Sequence, residues 1–515
     1  MMFVQSLKEQ RCKGLMLLFA IRRSSYIMKV TDYIVEFLIS KGITDVFGYP
    51  GGVICHFIDS LSKYDGIKGH INYHEQASAF AACGYAQESG LPGVAYATSG
   101  PGATNLVTGI ANAYYDSIPS IFITGQVDTY GLKGSLSVRQ RGFQETDVIG
   151  IVSPITKYAV RVDDPLRIRY ELEKAFYYAA EGNPGPILLD LPADVQRASV
   201  DENTLIGYEA PSICKNDIDT YINEMTSMLE ASKCPCLLLG CGIKQRGLKQ
   251  IAQEIAENSD IPVVTSMPAV DILPASHRNC FGFVGANGHR YANFVLGKSD
   301  LIIAMGSRLD SKQVGNNRSQ FARQAKIIRV DIDHGNLEHK VHDDEIQFQM
   351  DIRDIIPALR DKLNAYSLNF SEWNDVCTAI KAKLQGYDDE PHTAMLKRFS
   401  QTLPDEICIT ADVGQNEVWV AQQFEFKKNQ RFHISAGHGA MGYSLPAAIG
   451  VYYASGKPVV SFNGDGGIQM NIQELQFLAR EKLPITVVII NNHSLGMIRG
   501  FQEANFEKNY SQTTE

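Results

Sequence analysis

The chain has 515 residues, which is enough for three domains that each bury a hydrophobic core. Its formal net charge of −9 and the lack of a basic stripe argue against a nucleic-acid-binding protein. The ten cysteines are scattered and form no Cys-x-x-Cys pair, which favours reduced thiols in a cytoplasmic protein.

Residues 1–27 differ in character from the rest of the chain. An apolar run at residues 14–21 is eight residues long, too short to cross a bilayer, so we expect no membrane span. Arg22 and Arg23 follow this run, and no small-residue cleavage site is present. We expect a disordered extension, with Met28 as the true start of the protein. An organellar targeting segment is the alternative.

The next region has the order of elements that is typical of a parallel α/β fold. A helical pattern at residues 31–40 precedes a strand that enters the glycine turn at residues 50–52. A second strand ends at Glu75, where an alanine-rich helix begins, and a third enters another glycine turn at residues 99–102. A lone glutamate at a helix start usually answers the helix macrodipole, which is the simplest interpretation of Glu75.

The middle of the chain is similar to a Rossmann domain. Residues 235–239 form an apolar run that leads into the turn Gly240-Cys241-Gly242. Two later runs, at residues 299–315 and 325–333, are strand-like with polar ends. A glycine turn after one strand is weak evidence for a nucleotide, so these residues alone indicate only the fold class.

A phosphate-binding pattern follows the strand predicted at residues 457–462. Gly464, Gly466 and Gly467 let phosphate oxygens approach backbone N–H groups, and the helix that begins there favours negative charge. Pro484 ends the helical pattern.

A second strand completes this β-α-β unit. The β-branched run at residues 485–490 predicts a buried parallel strand. Asp465 and Asn492, which are expected at the ends of neighbouring strands, offer the hard oxygen ligands that Mg²⁺ prefers. The alternative is a glycine turn and an asparagine turn without a ligand.

Several segments resemble the thiamine-diphosphate-dependent enzymes, most of all the large subunits of acetolactate synthase. They read FGYPGG (47–52), HEQASAFAACGYAQESG (74–90), TSGPGATN (98–105), RGFQETD (141–147), AGHGAMGYSLPAAIG (436–450), GDGGIQMNIQEL (464–475) and NNHSLGMIRGFQ (491–502).

The resemblance implies three consecutive α/β domains with mostly parallel sheets. They are a pyrimidine-binding domain at residues 28–195, a central Rossmann-like domain at 205–365 and a pyrophosphate- and Mg²⁺-binding domain at 370–515. Family members continue past the position of Glu515, so the last domain is expected to be C-terminally incomplete here.

Thiamine diphosphate and Mg²⁺ are the cofactors that the resemblance implies. Glu75 would hydrogen-bond the aminopyrimidine ring and exchange a proton with it, because the thiazolium C2 proton is too weakly acidic to leave unaided. The cation ligands would be Asp465, Asn492 and the backbone carbonyl of Ser494. The other cofactor-binding positions would be Gly52, Gln415, Asn416, Met441, Gly464, Gly466, Gly467, Gly496 and Met497.

In the family, the glutamate and the diphosphate site come from different chains. The resemblance therefore implies a homodimer or higher homo-oligomer with active sites between chains, and it raises the prospect of a small regulatory subunit.

A flavin is the third cofactor that the resemblance implies, because acetolactate synthases bind FAD in the central domain. Six positions are similar to the family's flavin-binding residues: Gly240, Gly242, Gly306, Arg308, Asp331 and Asp333. Other positions depart from the family, since Cys241 interrupts its usual triple glycine and its methionine- and histidine-containing segment reads GFVGANGHRYAN here. Such a flavin would be structural.

The reaction implied is the condensation of two pyruvates to 2-acetolactate and CO₂. Gln144 would be a catalytic residue, and Phe143 and Phe501 would contact substrate. Relatives usually have tryptophan at position 501, which favours 2-ketobutyrate as acceptor, so we expect a weaker preference for 2-ketobutyrate. The alternatives are a related 2-keto-acid decarboxylase, a carboligase with a keto-sugar acceptor, and a catalytically silent homologue.

Overall fold

The computed structural model describes residues 27–211, 217–366, 368–387 and 391–514, with the side chains of 391–393 left aside. The extension predicted at residues 1–27 therefore lies almost entirely outside the described residues. Three sheets, each parallel throughout, follow one another along the chain. This confirms the predicted α/β class with three consecutive domains.

The first domain is built on a six-stranded sheet of order β3-β2-β4-β5-β7-β6, beside an antiparallel pair of β1 and β8. Its strands are β1 (Ile27–Lys29), β2 (Asp45–Gly48), β3 (Lys68–Ile71), β4 (Gly93–Ala97), β5 (Ser120–Gln126), β6 (Tyr158–Arg161), β7 (Pro186–Pro192) and β8 (Ser199–Asp201). Its α-helices are Val30–Ser40, Cys55–Leu61, Glu75–Ser89, Pro101–Asn105, Val107–Tyr115, Val148–Val152, Ile168–Ala180 and Ala193–Arg197, and its 3-10 turns are Gly52–Ile54, Thr129–Gly131, Ser153–Ile155, Pro165–Arg167 and Glu202–Thr204.

The central domain has a six-stranded sheet of order β11-β10-β9-β12-β13-β14. Its strands are β9 (Pro235–Leu239), β10 (Val263–Thr265), β11 (Cys280–Phe283), β12 (Leu301–Met305), β13 (Lys326–Asp331) and β14 (Ile346–Gln349). Its α-helices are Ile218–Ala231, Gly242–Gln245, Lys249–Ser259, Arg290–Lys298, Ser311–Val314, His334–Glu338, Ile352–Ala365 and Ser371–Leu384, and its 3-10 turns are Met267–Ala269, Arg318–Gln320 and Gln385–Tyr387.

The last domain has a four-stranded sheet of order β16-β15-β17-β18. Its strands are β15 (Cys408–Ala411), β16 (Arg431–His433), β17 (Val459–Gly464) and β18 (Ile485–Ile490). Its helices are Pro391–Thr402, Gln415–Gln423, Ser444–Ser455, Asp465–Gln469, Glu474–Glu481 and Gly496–Asn505.

One prediction about the last domain is wrong. The run Ile485–Ile490 forms a parallel strand beside β17, as expected, but it is an edge strand and is only partly buried. Ile489 is 50% exposed. A β-branched sequence favours a strand that can be covered on both faces, but the described residues of one chain do not provide that cover.

The first and last domains pack closely within one chain through the helices Glu75–Ser89 and Ser444–Ser455. A Cβ atom placed on Gly84 would lie 2.2 Å from the Ala447 carbonyl oxygen, and one on Gly450 would lie 1.8 Å from that of Ala81. Only glycine fits at these two positions, because the helix backbones approach so closely. The helix that begins with Glu75 is thereby fixed against the last domain.

None of the described helices combines the length and the apolar character that crossing a bilayer requires.

Candidate active site

The predicted phosphate-binding turn lies at the carboxyl end of β17. Gly464 ends this strand, and the helix Asp465–Gln469 begins at once. The first N–H groups of a helix have no intrahelical acceptor, which suits a diphosphate. A Cβ atom on Gly467 would lie 1.9 Å from Asp412 Oδ2, so a side chain cannot be placed there. The glycine is therefore required by close packing as well as by the turn.

The two predicted cation ligands converge on one backbone group. The Ser494 N–H donates to Asp465 Oδ2 at 3.3 Å and to Asn492 Oδ1 at 3.1 Å. This convergence follows from the sheet, because Gly464 pairs with Ile490 and the two strands end side by side. A carboxylate oxygen and an amide oxygen in this arrangement form a donor set that fits Mg²⁺.

The start of the helix Gln415–Gln423 joins this group. Asn492 Nδ2 donates to Gln415 Oε1 at 3.0 Å, and a Cβ atom on Gly496 would lie 1.9 Å from that oxygen. Asn416, which is buried, donates to the Asp412 carbonyl oxygen at 2.9 Å. The structure thus brings together residues that the sequence analysis took from three separate segments.

Asp412 is a member of the site that the sequence analysis missed. Its buried carboxylate accepts hydrogen bonds from the Gly442 N–H at 3.1 Å and the Tyr443 N–H at 2.9 Å. Burial raises the pKa of this carboxyl to about 6. Asp412 holds the turn that follows Met441, which is half-buried, beside the glycine run. The available signal was its position directly after a buried strand, where polar residues of α/β sites gather.

Glu75 is held inside the first domain. Its side chain is 8% exposed, and Asn105 Nδ2 donates to Glu75 Oε2 at 2.9 Å. His74 Nδ1 accepts from the Gln76 N–H at 3.1 Å and so caps the helix. Because the cap comes from His74 and the Glu75 carboxylate is bound to Asn105, this residue is more than a surface charge that answers the helix dipole.

Gln144 and the Glu75 carboxylate border the same turn, at residues 99–102. A Cβ atom on Gly100 would lie 2.9 Å from the Gln144 Cβ, and one on Gly102 would lie 3.1 Å from Glu75 Oε1. Gln144 has a left-handed backbone with a φ of 63°, which is unusual for a residue with a side chain and is found at functional sites.

Four other predicted residues are exposed or border open space. The side chain of Phe143 is 85% exposed, and a Cβ atom on Gly52 would meet no heavy atom within 4 Å. Phe501 is 59% exposed on the helix Gly496–Asn505, of which the structure buries no residue. Met497, on the same helix, is also exposed.

A cavity of about 380 Å³ lies where the three domains meet. Its size is in the usual range for small-molecule sites. Four of the six predicted flavin-binding residues line it: Gly242, Gly306, Arg308 and Asp331. The other two, Gly240 and Asp333, are not among the residues that line the cavity. A Cβ on Gly240 would lie 2.0 Å from the Gly306 carbonyl oxygen, and Asp333 caps the helix His334–Glu338.

The cavity wall offers polar atoms to a ligand. Among the described residues, some buried atoms of the wall have no hydrogen-bond partner: Asp116 Oδ2, Ser266 Oγ, Gln313 Nε2 and Glu417 Oε1. Burial raises the pKa of Asp116 to about 6 and that of Glu417 well above its usual range. Buried polar atoms are rarely left unpaired, so the wall fits a polar ligand better than an empty space.

Comparison with known proteins agrees with this arrangement. Three families of the thiamine pyrophosphate enzymes match the chain: the N-terminal TPP binding domain at residues 28–151, the central domain at 222–359 and the C-terminal TPP binding domain at 412–515. The last of these covers every predicted cation ligand, and the first covers Glu75 and Gln144.

Curated relatives are similar over almost the whole chain. The acetolactate synthase large subunit of Lactococcus lactis subsp. lactis is 37% identical over 492 residues, which cover 94% of this chain and 84% of that protein. The isozyme 2 large subunit of Escherichia coli is 34% identical, with 95% and 87% covered, and the large subunit of Corynebacterium glutamicum is 38% identical, with 91% and 75% covered. The chain therefore belongs to the acetolactate synthase large-subunit family of thiamine-diphosphate-dependent enzymes.

Proposed function

We propose that this protein condenses two pyruvates to 2-acetolactate with release of CO₂. The observation that carries the proposal is the convergence of the Asp465 and Asn492 oxygens beside a glycine-lined helix start, in a chain whose relatives are acetolactate synthases. When bound there, thiamine diphosphate supplies the electron sink that the decarboxylation of a 2-keto acid needs.

The last domain would hold the diphosphate through its cation. Asp465, Asn492 and the Ser494 carbonyl are the proposed Mg²⁺ ligands, and water and phosphate oxygens would complete the octahedron. The glycines at residues 464–467 would admit the phosphate oxygens to the backbone N–H groups. The remaining proposed cofactor contacts are Gly52, Gln415, Asn416, Met441, Gly496 and Met497.

Glu75 would carry the proton that activates the coenzyme. Its Oε2 is engaged by Asn105, whereas Oε1 borders Gly102, which has no side chain to cover it. We therefore assign the proton exchanged with the aminopyrimidine ring to Oε1. Gln144, which is held nearby, would orient the acceptor substrate.

The active sites would lie between two chains of a homodimer. Within one chain the described hydrogen bond of the Glu75 carboxylate is to Asn105 of the same domain, and Phe143 and Phe501 are largely exposed. A second copy would cover these side chains and bring Glu75 to the diphosphate of its neighbour.

Mixed dimers test this arrangement. A dimer of one Glu75→Gln chain and one Asp465→Ala chain contains one intact site if the sites are shared, and none if each chain builds its own. We expect activity to reappear when the two inactive variants are refolded together. Continued inactivity of a verified mixed dimer would contradict shared sites.

The central cavity would hold FAD as a structural cofactor. Arg308 offers a positive charge for the FAD diphosphate, and the unpaired atoms of Asp116, Ser266 and Gln313 offer hydrogen bonds. Heat-released flavin from the purified protein, measured by fluorescence at one equivalent per chain, would support this assignment. A colourless, fully active protein would contradict it.

Product analysis tests the reaction itself. With pyruvate, thiamine diphosphate and Mg²⁺, we expect one acetolactate and one CO₂ for each two pyruvates consumed. Acetaldehyde in place of acetolactate would indicate a decarboxylase, and condensation only with an added keto-sugar would indicate another carboligase. Coenzyme binding without CO₂ release would identify a catalytically silent homologue.

Other features are proposed from family membership. The relatives are named large subunits, so we propose a small regulatory subunit as a partner. We also propose a cytoplasmic location, and domains at residues 28–195, 205–365 and 370–515. The helix Ser371–Leu384, at the start of the last of these ranges, packs against the central sheet.

A further inference from the structure

The last domain holds the segment that leads into Glu75. Glu474, which is completely buried at the start of the helix Glu474–Glu481, accepts two hydrogen bonds from this segment. Its Oε2 accepts from Asn72 Nδ2 at 2.9 Å, and its Oε1 accepts from the Tyr73 N–H at 2.7 Å. Both donors lie within three residues of Glu75. They belong to the first domain, about four hundred residues away in sequence.

A second residue of the same helix acts on the same segment. Arg480 Nη2 donates to the Ile71 carbonyl oxygen at 2.7 Å, and Nη1 donates to the Tyr73 hydroxyl at 3.1 Å. The helix Glu474–Glu481 thus contacts residues 71–73 through one acidic and one basic side chain. These contacts hold the segment that directly precedes the helix Glu75–Ser89.

Asn471 connects this region to the turn beside Met441. Its Nδ2 donates to the Gly442 carbonyl oxygen at 2.9 Å and to Gln76 Oε1 at 3.3 Å. Asn471 is 1% exposed, and a Cβ on Gly442 would lie 2.6 Å from the Met470 Cβ. The turn after Met441 and the residue after Glu75 therefore share one buried amide.

We propose that Glu474 and Asn471 are positioning residues for Glu75 of their own chain. The inference rests on the proposed function, in which active sites are shared between chains. The last domain of each chain would then serve two sites, one through its diphosphate residues and the other through the first-domain segment that it holds.

The chemistry of Glu474 supports a role beyond general packing. Burying a carboxyl at a contact between domains costs free energy, and this cost is offset only by the hydrogen bonds that the carboxyl makes there. Burial raises the pKa of Glu474 to about 7, and the bonds from Asn72 and Tyr73 and the charge of Arg480 oppose this rise. An apolar side chain would fill the same space at a lower cost. It could not set the position of the Tyr73 N–H.

Mixed dimers with a single coenzyme-loaded site separate positioning from general damage. If one chain carries Asp465→Ala, the only loaded site uses the diphosphate residues of the other chain and the Glu75 of the Asp465→Ala chain. Glu474→Ala is then placed either in the chain that supplies Glu75 or in the chain that supplies the diphosphate site. The second placement is the matched control, because the two dimers have the same composition.

The readout is the exchange rate of the thiazolium C2 proton in bound coenzyme, followed by acid quench and proton NMR, together with the coenzyme Kd. We expect exchange to slow by about 100-fold when Glu474→Ala lies in the chain that supplies Glu75, since misplacement by roughly an ångström has this effect. The Kd should stay within about two-fold, because the diphosphate site is intact. Glu474→Gln should restore exchange, since its oxygen still accepts from the Tyr73 N–H. Its amide can donate to Asn72 Oδ1 after the Asn72 amide turns over, and this oxygen is buried with no partner among the described residues.

Equal slowing in both placements would overturn the inference. Slowing only in the control placement would show that Glu75 serves the diphosphate site of its own chain, which refutes the shared site on which the inference rests. If the Glu474→Ala chain does not assemble, Asn72→Ala takes its place. This variant removes the hydrogen bond that Asn72 donates to Glu474, one of the two that Glu474 accepts. Its effect on exchange must depend on placement in the same way. A parent mixed dimer that binds no coenzyme would refute the proposed function itself, because one chain keeps its diphosphate residues intact whether or not the sites are shared.

Discussion

The two halves of the proposed active site differ in how completely one chain builds them. The Glu75 half is buried, hydrogen-bonded to Asn105 and fixed by helix packing against the last domain. In the Asp465 half, the two oxygens proposed as cation ligands share one backbone N–H, and Phe501 is exposed on a helix without buried residues.

This difference reflects what each half has to do. A residue that exchanges a proton must be held at a fixed position before the substrate arrives, so its surroundings are built into the chain. A site for a cation and a diphosphate must stay open to admit them, and its ligands are satisfied only when they bind. We expect substitutions in the first half to affect the rate and those in the second half to affect binding.

Glu75→Gln should give the largest effect on rate. Glutamine keeps the shape and can still bond to Asn105, but it cannot exchange a proton, so we expect turnover to fall by about 100- to 10,000-fold. The coenzyme Kd should change little, because the diphosphate residues are untouched. Steady-state pyruvate consumption and calorimetric coenzyme titration measure the two quantities. Undiminished turnover would refute the assigned role of Glu75.

Asp465→Ala should show the opposite pattern. Loss of a charged ligand, worth about 3 kcal/mol, corresponds to a loss of coenzyme affinity of roughly 100-fold. Chelation of Mg²⁺ with EDTA should have the same consequence in the unmodified protein, and added Mg²⁺ should reverse it. The measurement is thiamine diphosphate binding at fixed Mg²⁺. Retained affinity in the variant would show that the cation is held elsewhere.

The sequence was enough to predict the open half of the site. Asp465 and Asn492 follow two β-branched strands, and neighbouring parallel strands end at one edge of a sheet, so their meeting was predictable. The exposure of the second strand could not be predicted in this way. The β-branched residues of Ile485–Ile490 indicate that both faces of the strand can be buried, but Ile489 is half exposed because no described neighbour packs over it.

The sequence could not predict what holds the buried half. Glu474 occupies a helical pattern in which an acid is normally a solvated charge, and its partners Asn72 and Tyr73 are about four hundred residues away. Asp412 likewise looks like an ordinary polar residue after a strand. Such contacts depend on how two domains meet, which local periodicity does not encode.

The free energy of unfolding should depend on pH through the buried carboxyl of Glu474, which holds the Glu75 half of the site. The pKa of Glu474 is raised from 4.5 to about 7. Between these values the folded protein keeps a proton that the unfolded chain has released, so the free energy of unfolding falls as pH rises through the window. Glu474 contributes at most about 1.4 kcal/mol to this slope for each pH unit. Glu474→Gln should reduce the slope by this contribution, as measured by denaturant unfolding at both ends of the window, and Asp116 and Asp412, whose pKa values burial also raises, produce part of the remainder.

Glu209→Gln is the control for that comparison, because it makes the same substitution at an exposed glutamate. The same slope in the Glu474→Gln variant and in the unmodified protein would show that other groups produce it.

Phe501→Trp should give the smallest effect, since it changes an exposed residue of the open half. An indole ring offers more apolar surface to the additional methylene of 2-ketobutyrate, and one buried methylene is worth about 0.8 kcal/mol. We expect the ratio of the 2-ketobutyrate product to acetolactate to rise about four-fold in competition assays with equal acceptor concentrations. Phe294→Trp is the matched control, because Phe294 is similarly exposed but lies on the central domain. An unchanged ratio at Phe501, or an equal rise at Phe294, would exclude Phe501 from the acceptor site.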